Sequence, residues 1–195
     1  MRHMRHTKQT KKYKSKNNIV FSEKDYNSND GFLTKIWGVN FWTILHIISF
    51  NYPVKPTHAD KIHYRNFILS LKYILPCGKC RKNFVCNMQK LPLTMKDMEN
   101  RHTFSTYIYN LHEIINKMLC KKSHLTYTKV RDRFEHFRSR CNHKNKSIKK
   151  KENGCTEPIY GEKSKAIIRI VPDKMICETF EIDKTCILQK KNNVI

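Results

Sequence analysis

Two cysteines three positions apart, Cys77 and Cys80, stand behind a proline in Pro76-Cys77-Gly78-Lys79-Cys80. Thiols at this spacing serve either a disulfide that opens and closes or half of a metal site. A tetrahedral zinc site needs four ligands, commonly a second Cys or His pair at close spacing. Cys86, His102, His112 and the tail cysteines are candidates, yet no second C-x-x-C follows. Two inert thiols on a helix face are a third reading. The redox reading is preferred. It predicts an oxidoreductase, with a basic zinc-binding module that contacts nucleic acid as the alternative.

A dithiol oxidised by molecular oxygen needs a mediator, because two-electron transfer from thiolates to triplet oxygen is slow. Flavin is the usual one, and the protein's part is to position it against the disulfide. Packed helices can hold a flavin where aromatic faces stack on the rings and a few polar groups grip the rest. Trp42, His46, Phe50, His112, Asn116 and Phe134 are of those types. Taken singly, each has a plainer use: Trp42 and Phe50 as core, His46 as a satisfied core histidine, Asn116 as a partner of nearby backbone.

The elements that must position these groups have a helical period. A first segment, about 37 to 50, carries Trp42, His46 and Phe50 at i, i+4 and i+8 on one face. Tyr52-Pro53-Val54-Lys55-Pro56 ends it, since proline cannot continue a helix. A second, about 58 to 75, lines up Tyr64, Phe67, Ile68, Leu71, Ile74 and Leu75. Pro76 breaks the chain, and a third helix from Cys77 to about Met88 puts Cys77, Cys80, Phe84 and Met88 inward. A helix N-terminus favours a thiolate there. The fourth, about 102 to 119, turns Phe104, Tyr107, Ile108, Leu111, Ile115, Met118 and Leu119 inward, with His112 and Asn116 on its flank. A shorter fifth, about 127 to 138, groups Val130, Phe134 and Phe137. The expected fold is all-α, a four-helix bundle with a short fifth helix. No strand-helix-strand alternation surrounds the cysteine pair, which argues against a thioredoxin fold.

Composition adds bounds. The chain has 195 residues, 39 Lys and Arg against 16 acids, and a net charge of +23. That balance favours acidic or phosphate-rich partners. A bias toward Lys, Asn and Ile accounts for it as well, so nucleic acid is a secondary partner in this reading. Residues 1 to about 30, with Lys8, Lys11, Lys12, Lys14 and Lys16, read as a basic disordered arm. Residues 31–138 form the working domain, and 139–195 a linker and C-terminal extension, partly ordered. Within the extension, Ala166-Ile167-Ile168-Arg169-Ile170-Val171 is a short β-like run. The longest apolar stretch, Phe41 to Phe50, is far short of the ~20 residues a bilayer requires, and no secretory signal is evident. Eight cysteines without an export signal point to metal or redox use rather than a purely structural framework.

Trp42-x-x-x-His46, Tyr52-Pro53-x-x-Pro56, Cys77-Gly78-Lys79-Cys80, Phe104-Ser105-x-Tyr107-Ile108-x-x-Leu111-His112-x-x-x-Asn116-Lys117 and Val130-x-x-Arg133-Phe134 occur in that order. In this the chain resembles the Erv/ALR flavin-linked sulfhydryl oxidases, most closely the divergent versions of large DNA viruses. The resemblance spans about 100 residues, Trp37 to Phe137. It implies a homodimeric helical bundle with FAD beside the C-x-x-C pair. It also implies Cys80 as the flavin-proximal thiol and Cys77 as the thiol that exchanges with substrate. Trp42, His46, Phe50, His112, Asn116 and Phe134 become expected FAD contacts, with Lys117 and Tyr127 toward the adenine and phosphate end. Thiol-containing proteins are the implied substrates and O₂ the acceptor, with hydrogen peroxide as product. The implied location is the cytoplasm of an infected cell or the virion.

Three departures stand out. Glu113 occupies a position where the family commonly has Asn. Phe134 replaces a Trp and loses an indole N–H. Tyr109 occupies a position of a common family disulfide, whose loss would cost about 2–4 kcal/mol unless replaced. Cys177 and Cys186 are candidates for a mobile electron-shuttling pair, although their spacing is not C-x-x-C.

Overall fold

Capping residues and prolines mark most of the helix ends. The computed structural model describes residues 22–140, 155, 157–159, 162–178 and 180–186. The lysines before residue 22, the linker lysines 144–151 and Cys141 lie outside the described residues. Six α-helices follow in order: α1 Glu23–Asn27, α2 Thr34–Phe50, α3 His58–Ile74, α4 Gly78–Lys90, α5 Arg101–Met118 and α6 Tyr127–Glu135. Thr57 caps α3 and Asn100 caps α5, each in a reciprocal capping box with the residue three positions on. Such a cap satisfies helix N–H groups that have no partner inside the helix, and is worth about 1 kcal/mol.

Helices α2 to α5 form the bundle, and α6 closes against α2. Their inner faces meet at Leu45, Ile68, Leu71, Phe84, Phe104, Tyr107, Ile108 and Leu111, all buried. One end of this core is aromatic. Tyr52 packs edge-on to Tyr64, with ring centroids 4.7 Å apart, and lies 4.9 Å from Phe104. The Tyr52 hydroxyl donates to the Met98 carbonyl at 2.9 Å, so a fully buried phenol keeps a partner. The Tyr107 hydroxyl donates to the Leu91 carbonyl at 2.9 Å and fastens α5 to the loop before it. Tyr109, at the position of the common family disulfide, donates to the Leu125 carbonyl at 2.9 Å. Two phenol tethers thus hold the same helix to its flanking loops.

Helix α5 ends in a Schellman motif. Lys121 N–H donates to the Asn116 carbonyl at 2.9 Å and Cys120 N–H to the Lys117 carbonyl at 3.1 Å. Cys120 takes the left-handed position, φ +54°, that glycine usually fills.

Several sequence expectations need correction. Met118 and Leu119, expected inward, are exposed at the end of α5, although Met118 Sδ still lies 3.9 Å from Asn87 Nδ2 on α4. Phe67 and Ile74 on α3 and Phe137 after α6 are exposed as well. The run Ala166–Val171 is not a strand and has no ladder partner among the described residues. A two-residue antiparallel pair forms elsewhere, Ser139 opposite Pro158 and Arg140 opposite Glu157. Residues 22–30, read as part of a disordered arm, hold α1 and a turn that docks on the bundle.

Candidate active site

Cys77 is the N-cap of α4, and its sulfur accepts a hydrogen bond from Cys80 N–H at 3.2 Å. Both cysteines are free thiols and half-buried. Burial works against ionisation of Cys77. Hydrogen bonds from the Cys80 thiol and the Cys80 and Lys79 amides outweigh it and hold Cys77 below the usual thiol range. Cys80 moves the opposite way. Burial pushes it up, and the neighbouring Cys77 adds to the effect. In the reduced pair ionisation is therefore favoured at Cys77 over Cys80, with the Cys80 thiol as a hydrogen-bond donor to it. Among the described residues no group of three or more His, Cys, Asp or Glu comes together in a metal-binding arrangement. The geometry gives the zinc reading no support.

The other half of the site runs along α2. Thr34, in its first turn, has its Oγ1 3.8 Å from Cys80 Sγ. Trp42 stands eight residues on, about 12 Å along the axis, and His46 and Phe50 continue the stripe at one-turn intervals. The Trp42 indole stacks on the His112 imidazole, with centroids 3.9 Å apart and planes within 4°. His46 Nε2 and His112 Nδ1 are 3.0 Å apart and share one hydrogen. His46 also stacks on Phe134 at 5.5 Å and on Phe50 at 6.0 Å. Trp42, His46, Phe50, His112 and Phe134, from α2, α5 and α6, thus form one continuous aromatic group.

The two imidazoles are neutral at physiological pH. Burial, with His112 nearby, brings His46 down to about 3. Burial, with Lys121 nearby, brings His112 down to about 4. The aromatic group is therefore an uncharged wall, which suits a flat ring system of low charge. His46 Nδ1 is buried and has no hydrogen-bond partner among the described residues. An unsatisfied buried polar atom costs about 1–3 kcal/mol, and a ligand heteroatom would relieve that cost. On these two observations the residues fit a flavin.

The remaining expected contacts sit at the margin. Asn116 Nδ2 donates to Glu113 Oε1 at 3.1 Å, so Glu113 fixes the amide and leaves the Asn116 oxygen available. The Tyr127 hydroxyl lies 2.8 Å from Ser105 Oγ and 3.3 Å from His102 Nδ1, and its ring is 6.2 Å from Phe50. Lys117 is exposed, and its side chain joins none of these contacts. Sequence reasoning missed Thr34 and Phe180, and it quoted Ser105 without giving it a role. The Phe180 ring lies 6.1 Å from Phe134 and beneath the Arg133 guanidinium at 5.6 Å, which brings the C-terminal extension to the edge of the wall. No local pattern points to Thr34 or Phe180, because each acts on a residue distant in the chain. Cys177 and Cys186 are free thiols and Cys155 is disulfide-bonded.

A helical dithiol protein with a neutral aromatic ligand wall is the class that fold and site define. Comparison with known proteins agrees. The Erv1 / Alr family model matches residues 39–135. The probable FAD-linked sulfhydryl oxidase R368 of Acanthamoeba polyphaga mimivirus is 36% identical over 99 residues, covering 51% of this chain and 68% of that protein. The FAD-linked sulfhydryl oxidase of African swine fever virus (isolate Pig/Kenya/KEN-50/1950) is 31% identical over 86 residues, 44% of this chain and 70% of that protein. The mitochondrial FAD-linked sulfhydryl oxidase ERV1 of Saccharomyces cerevisiae is 29% identical over 84 residues, 43% of each. The chain belongs to the Erv1 / Alr family.

Proposed function

We propose that this chain is a FAD-linked sulfhydryl oxidase that forms disulfides in protein substrates. The single observation that carries the reading is that α2 joins the two halves of the site. Its first turn touches Cys80, and the aromatic wall begins two turns later. FAD would be held by Trp42, His46, Phe50, His112, Asn116 and Phe134, with Lys117 and Tyr127 toward its adenine and phosphate end. Bound flavin supplies a two-electron acceptor for the dithiol and a route onward to O₂, with hydrogen peroxide as product.

The chain's own part is thiol exchange. A substrate thiolate attacks Cys77 Sγ of the Cys77–Cys80 disulfide, and Cys80 leaves as a thiolate. The second substrate thiol then attacks the substrate sulfur of the mixed disulfide. The substrate disulfide forms, and Cys77 leaves. Hydrogen bonds that favour the ionised form of Cys77 make it the better leaving group in that second step. The Cys77 thiolate accepts the hydrogen bond of the Cys80 thiol and is placed to take its proton when Cys80 gives up electrons. Lys79 and Lys82, exposed beside the pair, favour an acidic substrate surface.

Residues 31–138 are the proposed oxidase domain, flanked by the basic arm and the C-terminal extension. A homodimer is proposed on the exposed apolar residues Ile36, Ile44 and Ile47 of α2. The viral relatives support action on proteins of a virus assembled in infected cells, in the cytoplasm or the virion. The test is the absorption spectrum of the purified chain with oxygen uptake. A yellow protein absorbing near ~450 nm that consumes O₂ with a small dithiol supports the oxidase. A colourless protein that takes up no flavin would refute it.

A further inference from the structure

The redox loop is not held by the bundle alone. The chain from Asn29 to Phe32 lies against Pro76–Gly78 and exchanges two backbone hydrogen bonds with it. Phe32 N–H donates to the Pro76 carbonyl at 3.0 Å, and Gly78 N–H donates to the Asn29 carbonyl at 2.9 Å. Arg81 bridges the two segments. One guanidinium nitrogen donates to the Leu75 carbonyl at 2.5 Å and another to the Asn29 side-chain oxygen. The Trp37 indole N–H donates to the Phe32 carbonyl at 3.1 Å and ties the strap to α2.

This approach is too close for ordinary side chains. Gly31 has φ +75°, and a Cβ there would lie 1.9 Å from the Pro76 oxygen. A Cβ on Gly78 would lie 2.4 Å from the Asn29 amide nitrogen and 2.6 Å from its carbonyl oxygen. Asn29 itself sits at φ +67°, a region Asn tolerates better than most residues. Two residues beyond the strap, the Thr34 hydroxyl reaches Cys80 Sγ at 3.8 Å. Its hydrogen bonding lowers both Cys77 and Cys80 against the burial that raises them.

We propose that Asn29–Thr34, which precede the region matched by the family, complete the redox centre: the strap clamps the Pro76–Gly78 loop, and Thr34 is a positioning residue whose hydroxyl stabilises the Cys80 sulfur. The chemistry follows from the exchange step. Attack on Cys77 breaks the Cys77–Cys80 bond and puts the departing electron pair on Cys80, the sulfur that burial disfavours as an anion. A thiolate can only accept hydrogen bonds, so the Thr34 hydroxyl must then act as the donor. Because the hydroxyl lowers both thiols, it stabilises the negative charge of the reduced pair on either sulfur, favours the dithiol state and makes the pair more oxidising.

The inference rests on Cys77 and Cys80 being the working pair, and its test requires no turnover. The full-length chain is equilibrated anaerobically in glutathione buffers between about pH 6 and pH 9. The balance is protein disulfide plus two glutathione thiols against protein dithiol plus glutathione disulfide, read by thiol alkylation and mass shift. Thr34→Val shifts the equilibrium constant toward the disulfide by about fivefold at the alkaline end, and less at the acid end where both thiols are protonated. Thr34→Ser restores it. Gly31→Ala lifts the strap, so it reproduces the redox shift and speeds hydrogen exchange at the Gly78 and Phe32 amides. Gly38→Ala, whose Cβ would meet only the Thr34 methyl at 3.7 Å, does neither. A pair that cycles but has the same pH-resolved equilibrium in Thr34→Val overturns this proposal and leaves the oxidase reading standing. A parent pair that never cycles overturns both.

Discussion

The Trp42 indole lies flat on the His112 imidazole, 3.9 Å between centroids, although 70 positions separate the two in the chain. The contact joins α2 to α5 at the point where His46 also meets His112. One stack therefore fixes the orientation of both imidazoles. In the proposed holoenzyme it fixes the surface that faces the flavin.

Trp42→Ala is expected to lower flavin retained after desalting by about tenfold, since an aromatic stack is worth about 0.5–1.5 kcal/mol beyond the area it buries. Trp42→Phe keeps most of it. The ratio of flavin absorbance to protein absorbance reads the effect. An alanine variant that stays as yellow as the parent would remove Trp42 from the proposed wall.

The two cysteines should fail differently. Cys80→Ser is expected to abolish oxygen uptake with a small dithiol while flavin stays bound. Cys77 in that variant still forms a mixed disulfide with an aromatic disulfide reagent. Cys77→Ser is expected to lose both uptake and rapid exchange with protein thiols. Residual turnover in Cys80→Ser would show that Cys80 is not the electron-passing sulfur.

Acid should loosen the fold through the paired imidazoles. Both are held neutral in the native protein, His46 down to about 3 and His112 to about 4, whereas an unfolded histidine titrates near ~6.5. The unfolded state thus binds more protons below pH ~6.5, and stability falls as pH drops from there toward the native values. At pH 4.5 each imidazole accounts for about 2–3 kcal/mol of lost stability, from a difference of about two pH units at ~1.4 kcal/mol each. Thermal melts from pH 7 to pH 4.5 measure it. His112→Gln is expected to flatten that slope relative to the parent, and an equally steep slope would contradict the buried, neutral assignment.

Glu113 is expected to act through Asn116. Its carboxylate takes one amide hydrogen of Asn116 at 3.1 Å, so Glu113→Ala frees the amide to rotate. Flavin affinity should fall about fivefold, the size of one ordinary hydrogen bond, since the amide is loosened rather than removed. The loss should be less than additive with Asn116→Ala, because both substitutions remove the same contact. Full additivity in a double-mutant cycle would separate the two residues.

Much of this arrangement is written in local pattern. Trp42, His46 and Phe50 recur at one-turn spacing, and the prolines at 53, 56 and 76 break helices, so the bundle and its aromatic stripe are legible. Pro76 followed by Cys77 also places a thiol at a helix start. The rest depends on contacts between distant residues. Thr34 and Cys80 are 46 residues apart, and nothing in either segment announces the other. Met118 and Leu119 keep the helical period yet are exposed, because periodicity says which face a residue shares and not how fully a neighbour covers it. Ala166–Val171 has strand propensity but no strand beside it among the described residues, and a lone strand leaves its backbone to water. Asn29 and Gly31 look like ordinary turn residues, and only the fold shows that the turn bears on Pro76.

Cys120 closes α5 in a conformation where a β-carbon is a burden, and its thiol faces solvent. Glycine there would satisfy the same two backbone bonds with less strain, by up to about 1 kcal/mol. It would also remove a sulfhydryl open to adventitious cross-linking in a protein whose proposed by-product is a peroxide. A single exchange at position 120 could therefore give a preparation both sturdier on heating and slower to form covalent aggregates in storage.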